Sequence, residues 1–218
     1  MDALGNMLDT PQLLALAAAL GFASGIRLYA VTLLTGLAGY FGLVDLPQGL
    51  NVLQHPAVLG ASGFMCFVEF FADKIPFVDS MWDMVHTVIR IPAGAALAAG
   101  AMGASGEAMT WVAAILGGSL AATSHAAKLT TRAAVNTSPE PFSNVGVSLL
   151  EDGLVIFMLW LAAEHPVIFA VVLVIAIVLS VVLMVVLFKF LRLVSRRLSD
   201  FFSGRPAALR HVPENPDR

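Results

Sequence analysis

Charge is scarce in this sequence. Only 12% of its 218 residues are Asp, Glu, Lys or Arg, against about 25% in an ordinary soluble domain. With 58% apolar residues and a mean hydropathy of +0.85, the balance excludes a water-soluble globular fold. Cysteine is nearly absent: Cys66 stands alone in an apolar run, which rules out an intramolecular disulfide and a thiolate metal cage and leaves core packing as its reading. The opening residues MDALGNMLDT contain no Lys or Arg, so the basic n-region of a secretory signal peptide is missing and the first helix is expected to be retained. The chain also lacks a Walker loop, an HExxH pair and a nucleophile elbow, which removes the most recognisable hydrolase and nucleotidase chemistries.

What it has instead is a succession of apolar runs from Gln12 to Leu193. A membrane-spanning helix needs about 20 apolar residues, so the sequence predicts an all-α, polytopic transmembrane helix bundle, residues 1–194, with room for five to seven crossings. Seven of the twelve Lys and Arg lie in the last thirty residues, namely Lys189, Arg192, Arg196, Arg197, Arg205, Arg210 and Arg218. Basic residues beside a span stay in the cytoplasm. Residues 195–218 are therefore expected to form a cytoplasmic, basic, partly disordered tail.

Several runs are interrupted. Ala23-Ser24-Gly25-Ile26-Arg27 puts small residues and a charge inside the stretch Gln12 to Val44, which predicts a broken or re-entrant helix, because non-helical backbone survives at membrane depth only beside protein or a polar cavity. Pro56 to Phe71 reads as a second apolar helix that delivers Glu69 and Asp73 to its end. Residues 73–90 mix charge with Phe77, Met81, Trp82 and Met84 and suggest an interfacial helix, ended by Pro92 and Gly94. Further spans are expected at Met109 to Ala127, Ser148 to Ala163 and Val167 to Phe188. The two halves share a plan, a small-residue run meeting a cation and then an acidic patch, which raises an inverted repeat as one construction.

Three groups of residues could carry chemistry. Glu69, Asp73, Asp79 and Asp83 fall within fifteen residues, each pair four apart and so able to share a helical face. Such neighbours need a divalent cation, a proton, or the cations Arg27, Lys74 or Lys128 to neutralise them. Oxygen ligands of this kind suit magnesium, calcium or manganese, making Asp73, Asp79 and Asp83 candidate metal ligands. His125, Lys128 and Arg132, at spacings of three and four, form a cationic stripe that invites an anion, or snorkels to lipid headgroups. The polar segment Asn136 to Asn144, broken by two prolines and followed by Ser148, Glu151 and Asp152, offers donors and acceptors to close over a polar group.

The strings GFASGIRLYA, EFFADKIPFVDSMWD, SHAAKLTTRAAVNTSPEPFSN and SLLEDG together resemble a bacterial membrane family, the domain of unknown function numbered 4126, over residues 12 to 165. The resemblance implies a multi-pass protein of the bacterial inner membrane with these polar motifs as its signature. It supplies no activity.

The residues themselves lead to a transporter-like expectation. Arg27, Glu69, His125, Lys128, Arg132, Asn136, Asn144, Glu151 and Asp152 would form an intramembrane polar site for an anionic small molecule or a lipid headgroup, coupled to a proton or cation. Two alternatives stand beside it: a metal-dependent enzyme acting on a lipid phosphate, with Asp79, Asp83 and His86 on the metal, and a scaffold whose charges pair internally. Membrane lipids are the expected partners and nucleic acid is not. The glycine-rich runs Gly94 to Gly103 and Gly117-Gly118 permit close helix contacts within one chain or in a homo-oligomer.

Overall fold

The computed structural model describes residues 10–137 and 141–202. Six α-helices follow one another: α1 Thr10–Tyr40, α2 Pro56–Ala72, α3 Val78–Met102, α4 Glu107–Val135, α5 Pro141–Glu164 and α6 Pro166–Phe202, with short 3-10 turns at Gln48–Gln54 and Gly103–Ser105. The described residues contain no strand, and the expected all-α bundle is what forms. Prolines open α2, α5 and α6, where the absent N–H would have had no partner in the helix anyway. His55 caps α2, its Nδ1 accepting from the Ala57 N–H at 3.2 Å.

Four helices are long and apolar enough to cross a membrane: α1, α3 with the turn after it, α5 and α6. The 3-10 turn Gln48–Gln54 and α2, bent by 69° to one another, would make a fifth if counted as one span. The chain is a multi-pass membrane protein by this measure. The expected span at Met109 to Ala127 is not among these helices, because Ser, Thr and Gly dilute its apolar content, although α4 is one of the best-packed helices in the bundle.

α1 is the central helix, packed against all five others. Its contact with α3 and α4 relies on missing side chains: a Cβ at Gly21 would lie 2.7 Å from the Gly117 Cα, and one at Gly25 would fall on Ser124 Oγ and the Ala121 carbonyl. The glycines expected to permit close helix contacts thus do so within the chain. Large apolar residues point outward instead, including Met84, Val88, Ile115, Val171 and Leu179. The polarity is that of a protein in lipid, with charge inside and hydrocarbon outside.

One expectation holds and two are modified. The break in α1 exists, as non-helical backbone at Arg27 (φ −144°, ψ 75°), with helix on both sides of it as far as Tyr40. Residues 78–102 are one helix running through Pro92 and Gly94. Asp79, Asp83, His86 and Arg90 are buried on it, so it is no water-facing interfacial helix. Finally, α6 extends to Phe202, so the expected tail begins inside a helix; residues 203–218 and Ser138-Pro139-Glu140 lie outside the described residues.

Candidate functional site

The kink in α1 creates the site. Leaving helical geometry at Arg27 turns nearby carbonyls away from the helix ladder, and α4 takes them up: Ser124 Oγ donates to the Phe22 carbonyl at 2.6 Å, Lys128 Nζ donates to that of Ile26 at 3.1 Å, and His125 Nδ1 lies 3.1 Å from that of Gly25. The kinked backbone is thereby held by side chains from about one turn of α4.

Arg27 projects from that kink into a set of carboxylates. Its Nη1 lies 2.8 Å from Asp73 Oδ2 and its Nε 3.1 Å from Asp152 Oδ1, while Nη2 donates to the Ser148 hydroxyl at 2.7 Å and carbonyl at 3.1 Å. Lys128 Nζ lies 2.9 Å from Asp73 Oδ2, 3.2 Å from Asp83 Oδ1 and 3.4 Å from Glu151 Oε2. Arg132 reaches Glu151 Oε2 at 2.7 Å and donates to the Asp73 carbonyl at 2.8 Å. Asp73 Oδ2 therefore faces three cations at once. Burial works to raise the Asp73 pKa, but Lys128, Arg27 and Arg132 outweigh it and hold the carboxyl below its ordinary value.

A second knot joins the first through Asp83. Arg90 Nη1 donates to Asp83 Oδ1 at 2.6 Å and its Nη2 to Glu69 Oε1, with His125 Nδ1 3.3 Å from Nη1. Both carboxylates and the guanidinium are fully buried. His125 Nε2 lies 2.8 Å from Thr87 Oγ1. At the third corner Asn136 Nδ2 donates to Asp79 Oδ1 and to Ser80 Oγ, both at 2.9 Å. Asn144 Nδ2 donates to Asn136 Oδ1 at 3.0 Å, tying α3, α4 and α5 together.

All nine residues expected to bind substrate are gathered here, in direct or one-step contact. The three expected metal ligands are here too, but Arg27, Arg90, Lys128 and Arg132 neutralise them, and among the described residues no group of three or more His, Cys, Asp or Glu is arranged to hold a metal ion. His86 has other partners: its Nδ1 lies 2.7 Å from the Trp82 carbonyl, and its ring stacks on Trp82 at 4.1 Å and meets the Tyr29 ring edge-on. Lys74 stays at the margin, donating to the Phe70 carbonyl and the Ser148 hydroxyl, its ammonium pushed below its ordinary pKa by partial burial. The residue that sequence reading left outside the site is Arg90. Its signal was present, since Asp79, Asp83, His86 and Arg90 recur at spacings of four, three and four, which is one stripe of α3 facing the cationic stripe of α4.

The balance of the network is its chemical character. Glu69, Asp73, Asp79, Asp83, Glu151 and Asp152 are six carboxylates against the four cations Arg27, Arg90, Lys128 and Arg132. Counting Lys74 still leaves one carboxylate in excess. Buried oxygens Glu69 Oε2, Asp73 Oδ1, Asp79 Oδ2 and Asp83 Oδ2 have no hydrogen-bond partner among the described residues.

Helices that fit a bilayer around a buried ionic core define a polytopic helical membrane protein. Residues 14–186 match the family described as Domain of unknown function (DUF4126), and the chain belongs to that family. The match runs beyond the stretch that carried the resemblance and takes in most of the apolar part of α6. No curated protein and no solved structure matches the chain.

Proposed function

We propose that this protein is a transporter-like membrane protein whose buried network binds and exchanges a proton or a small cation. The observation that carries the reading is an excess of carboxylate over cation at one edge of the network: the fully buried Glu69, Asp73, Asp79 and Asp83 are matched by Arg27, Arg90, Lys128 and Arg132, and the partly exposed Glu151 and Asp152 are the surplus. Charge left unmatched beside a low-dielectric interior is unfavourable, so this surplus is relieved by taking up positive charge. Intramembrane ionisable residues of this kind mark ion pathways and relays. The anion expected from the cationic stripe ranks second, because Arg27, Lys128 and Arg132 each already face carboxylates and an anion would have to displace them. On the positive-inside rule, Lys189, Arg192, Arg196 and Arg197 on the exposed part of α6 support a cytoplasmic C-terminus.

The test is ion flux in proteoliposomes under an imposed pH or sodium gradient. Wild type should dissipate the gradient faster than empty vesicles, and Glu69→Gln and Lys128→Ala should return to the empty-vesicle rate while unfolding cooperatively. Flux indistinguishable from empty vesicles for both ions would overturn the reading. It would favour a scaffold, for which the internal ion pairing of every network cation also speaks. In that case Glu69→Arg combined with Arg90→Glu should recover stability lost in each single variant.

A further inference from the structure

We infer that the cleft on the flank of the bundle between α1, α4, α5 and α6 holds a membrane lipid whose headgroup carries a primary amine. This names a ligand class for one edge of the network and rests on the proposal that the network accepts positive charge. The cleft encloses about 350 Å³, within the range of about 300–1,000 Å³ typical of small-molecule sites. Its walls are mainly hydrocarbon, from Phe22, Ile26, Leu154, Leu179 and Leu183, with Ser180 the one hydroxyl on the α6 side, and its polar end is made by Ser124, Lys128, Thr131 and Glu151. α6 contributes one wall and exposes Val178, Leu179 and Val182 on the same stretch, so an occupant arrives from the bilayer rather than from water.

The sign of the headgroup follows from which valences are spent. Lys128 is the only cation at the polar end, and Asp73, Asp83, Glu151 and the Ile26 carbonyl all lie within 3.4 Å of its ammonium. Its side chain is 1% exposed, whereas that of Glu151 is 11% exposed; Arg132 and Lys128 share Glu151 Oε2, at 2.7 and 3.4 Å, which leaves Oε1 as the carboxylate oxygen that an entering group meets. The two hydroxyls beside it have also committed their protons: Ser124 Oγ donates to the Phe22 carbonyl, and Thr131 Oγ1 to the Ala127 carbonyl at 2.9 Å. A hydroxyl whose proton is spent offers only lone pairs. Glu151 Oε1, Ser124 and Thr131 thus present acceptors and the Ser180 hydroxyl can turn either way, so an ammonium with its three donors finds more partners here than a phosphate oxygen does.

The experiment uses the full chain in nanodiscs of equimolar phosphatidylethanolamine, phosphatidylglycerol and phosphatidylcholine, with the lipid retained on the protein identified by native mass spectrometry. Phosphatidylethanolamine should be retained several-fold over the other two. Leu179→Trp, which fills the cleft from its lipid side without touching the ion pairs, should abolish the preference, and Glu151→Gln should weaken it. Preferential retention of phosphatidylglycerol, equal retention of all three, or a preference unchanged in Leu179→Trp would each overturn the inference. Retention is read without any gradient, so its failure is separable from failure of the flux assay. Leu179→Trp keeps the test decisive if Glu151→Gln does not fold.

Discussion

Arg27 of α1 and Asp73, the residue that ends α2, lie 2.8 Å apart with both side chains buried, and the same Asp73 oxygen also receives Lys128 of α4 at 2.9 Å. One carboxylate thus fastens three helices at the point where α1 leaves helical geometry. Replacing Arg27 with Lys keeps the charge but not the reach, since a single ammonium cannot serve Asp73, Asp152 and Ser148 together. Arg27→Lys should cost about 1–3 kcal/mol, the desolvation of groups left unsatisfied, read as a lowered midpoint of thermal unfolding in detergent. An unchanged midpoint would show that the guanidinium geometry is immaterial.

Arg90 and Glu69 should differ sharply when each is neutralised. Arg90→Met strands the buried Glu69 carboxylate and leaves Asp83 with Lys128 alone, and removal of one partner from a buried ionic group costs about 3–5 kcal/mol. Glu69→Gln leaves Arg90 paired with Asp83 and should be the milder change by unfolding assay. The reverse order would mean that Arg90 is not the compensating charge of this knot.

Acid should loosen the α1–α2–α4 junction. Because cations hold the Asp73 pKa below its unfolded value, its contribution is complete at neutral pH and is lost as pH falls through the acid range. Thermal midpoints measured from pH 7 downward should fall. In Asp73→Asn the midpoint should start lower and depend less on pH, and a parallel acid limb in both proteins would remove Asp73 from the explanation.

Small residues at the helix crossings supply a paired test. Gly25→Ala places a Cβ against Ser124 Oγ and the Ala121 carbonyl, one of them backbone that cannot swing aside, and overpacking of this kind costs about 1–3 kcal/mol. Gly60→Ala meets nothing within 4 Å and should be neutral or stabilising, through better helix propensity. Equal yields and unfolding midpoints for the two variants would contradict the close α1–α4 approach.

How far the sequence foretold this arrangement depends on the kind of signal each residue carried. Helices α2 and α6 were legible because Pro56 and Pro166 punctuate long apolar runs, and Arg27 among small residues marked the kink, whereas α5 begins at Pro141, seven residues before the expected Ser148, within the segment taken as broken by its prolines. The environment of α3 was not legible. A helix with Asp79, Asp83 and Arg90 on one face and Met84, Val85 and Val88 on the other has the same pattern whether the charges meet water or a protein interior. Only the facing stripe on α4 decides between them, and partner choice across a bundle is not written in spacing along one helix. Pro92 misled for a related reason: a single lost hydrogen bond is tolerated where neighbouring helices hold the backbone.

The distribution of the network over the helices also governs how the chain can be made. Arg27, Glu69, Asp83, Lys128 and Glu151 come from five successive helices, so each of α1 to α5 would enter the bilayer carrying a charge whose partners lie on other helices. Insertion of one such charge at mid-membrane costs about 2.5–3.5 kcal/mol. In α6 the first basic residue is Lys189, near its exposed end, and the apolar length before it needs no partner. Biogenesis therefore has a built-in asymmetry: α1 to α5 gain from being retained beside the insertion machinery until their charges can meet, whereas α6 can partition into lipid by itself.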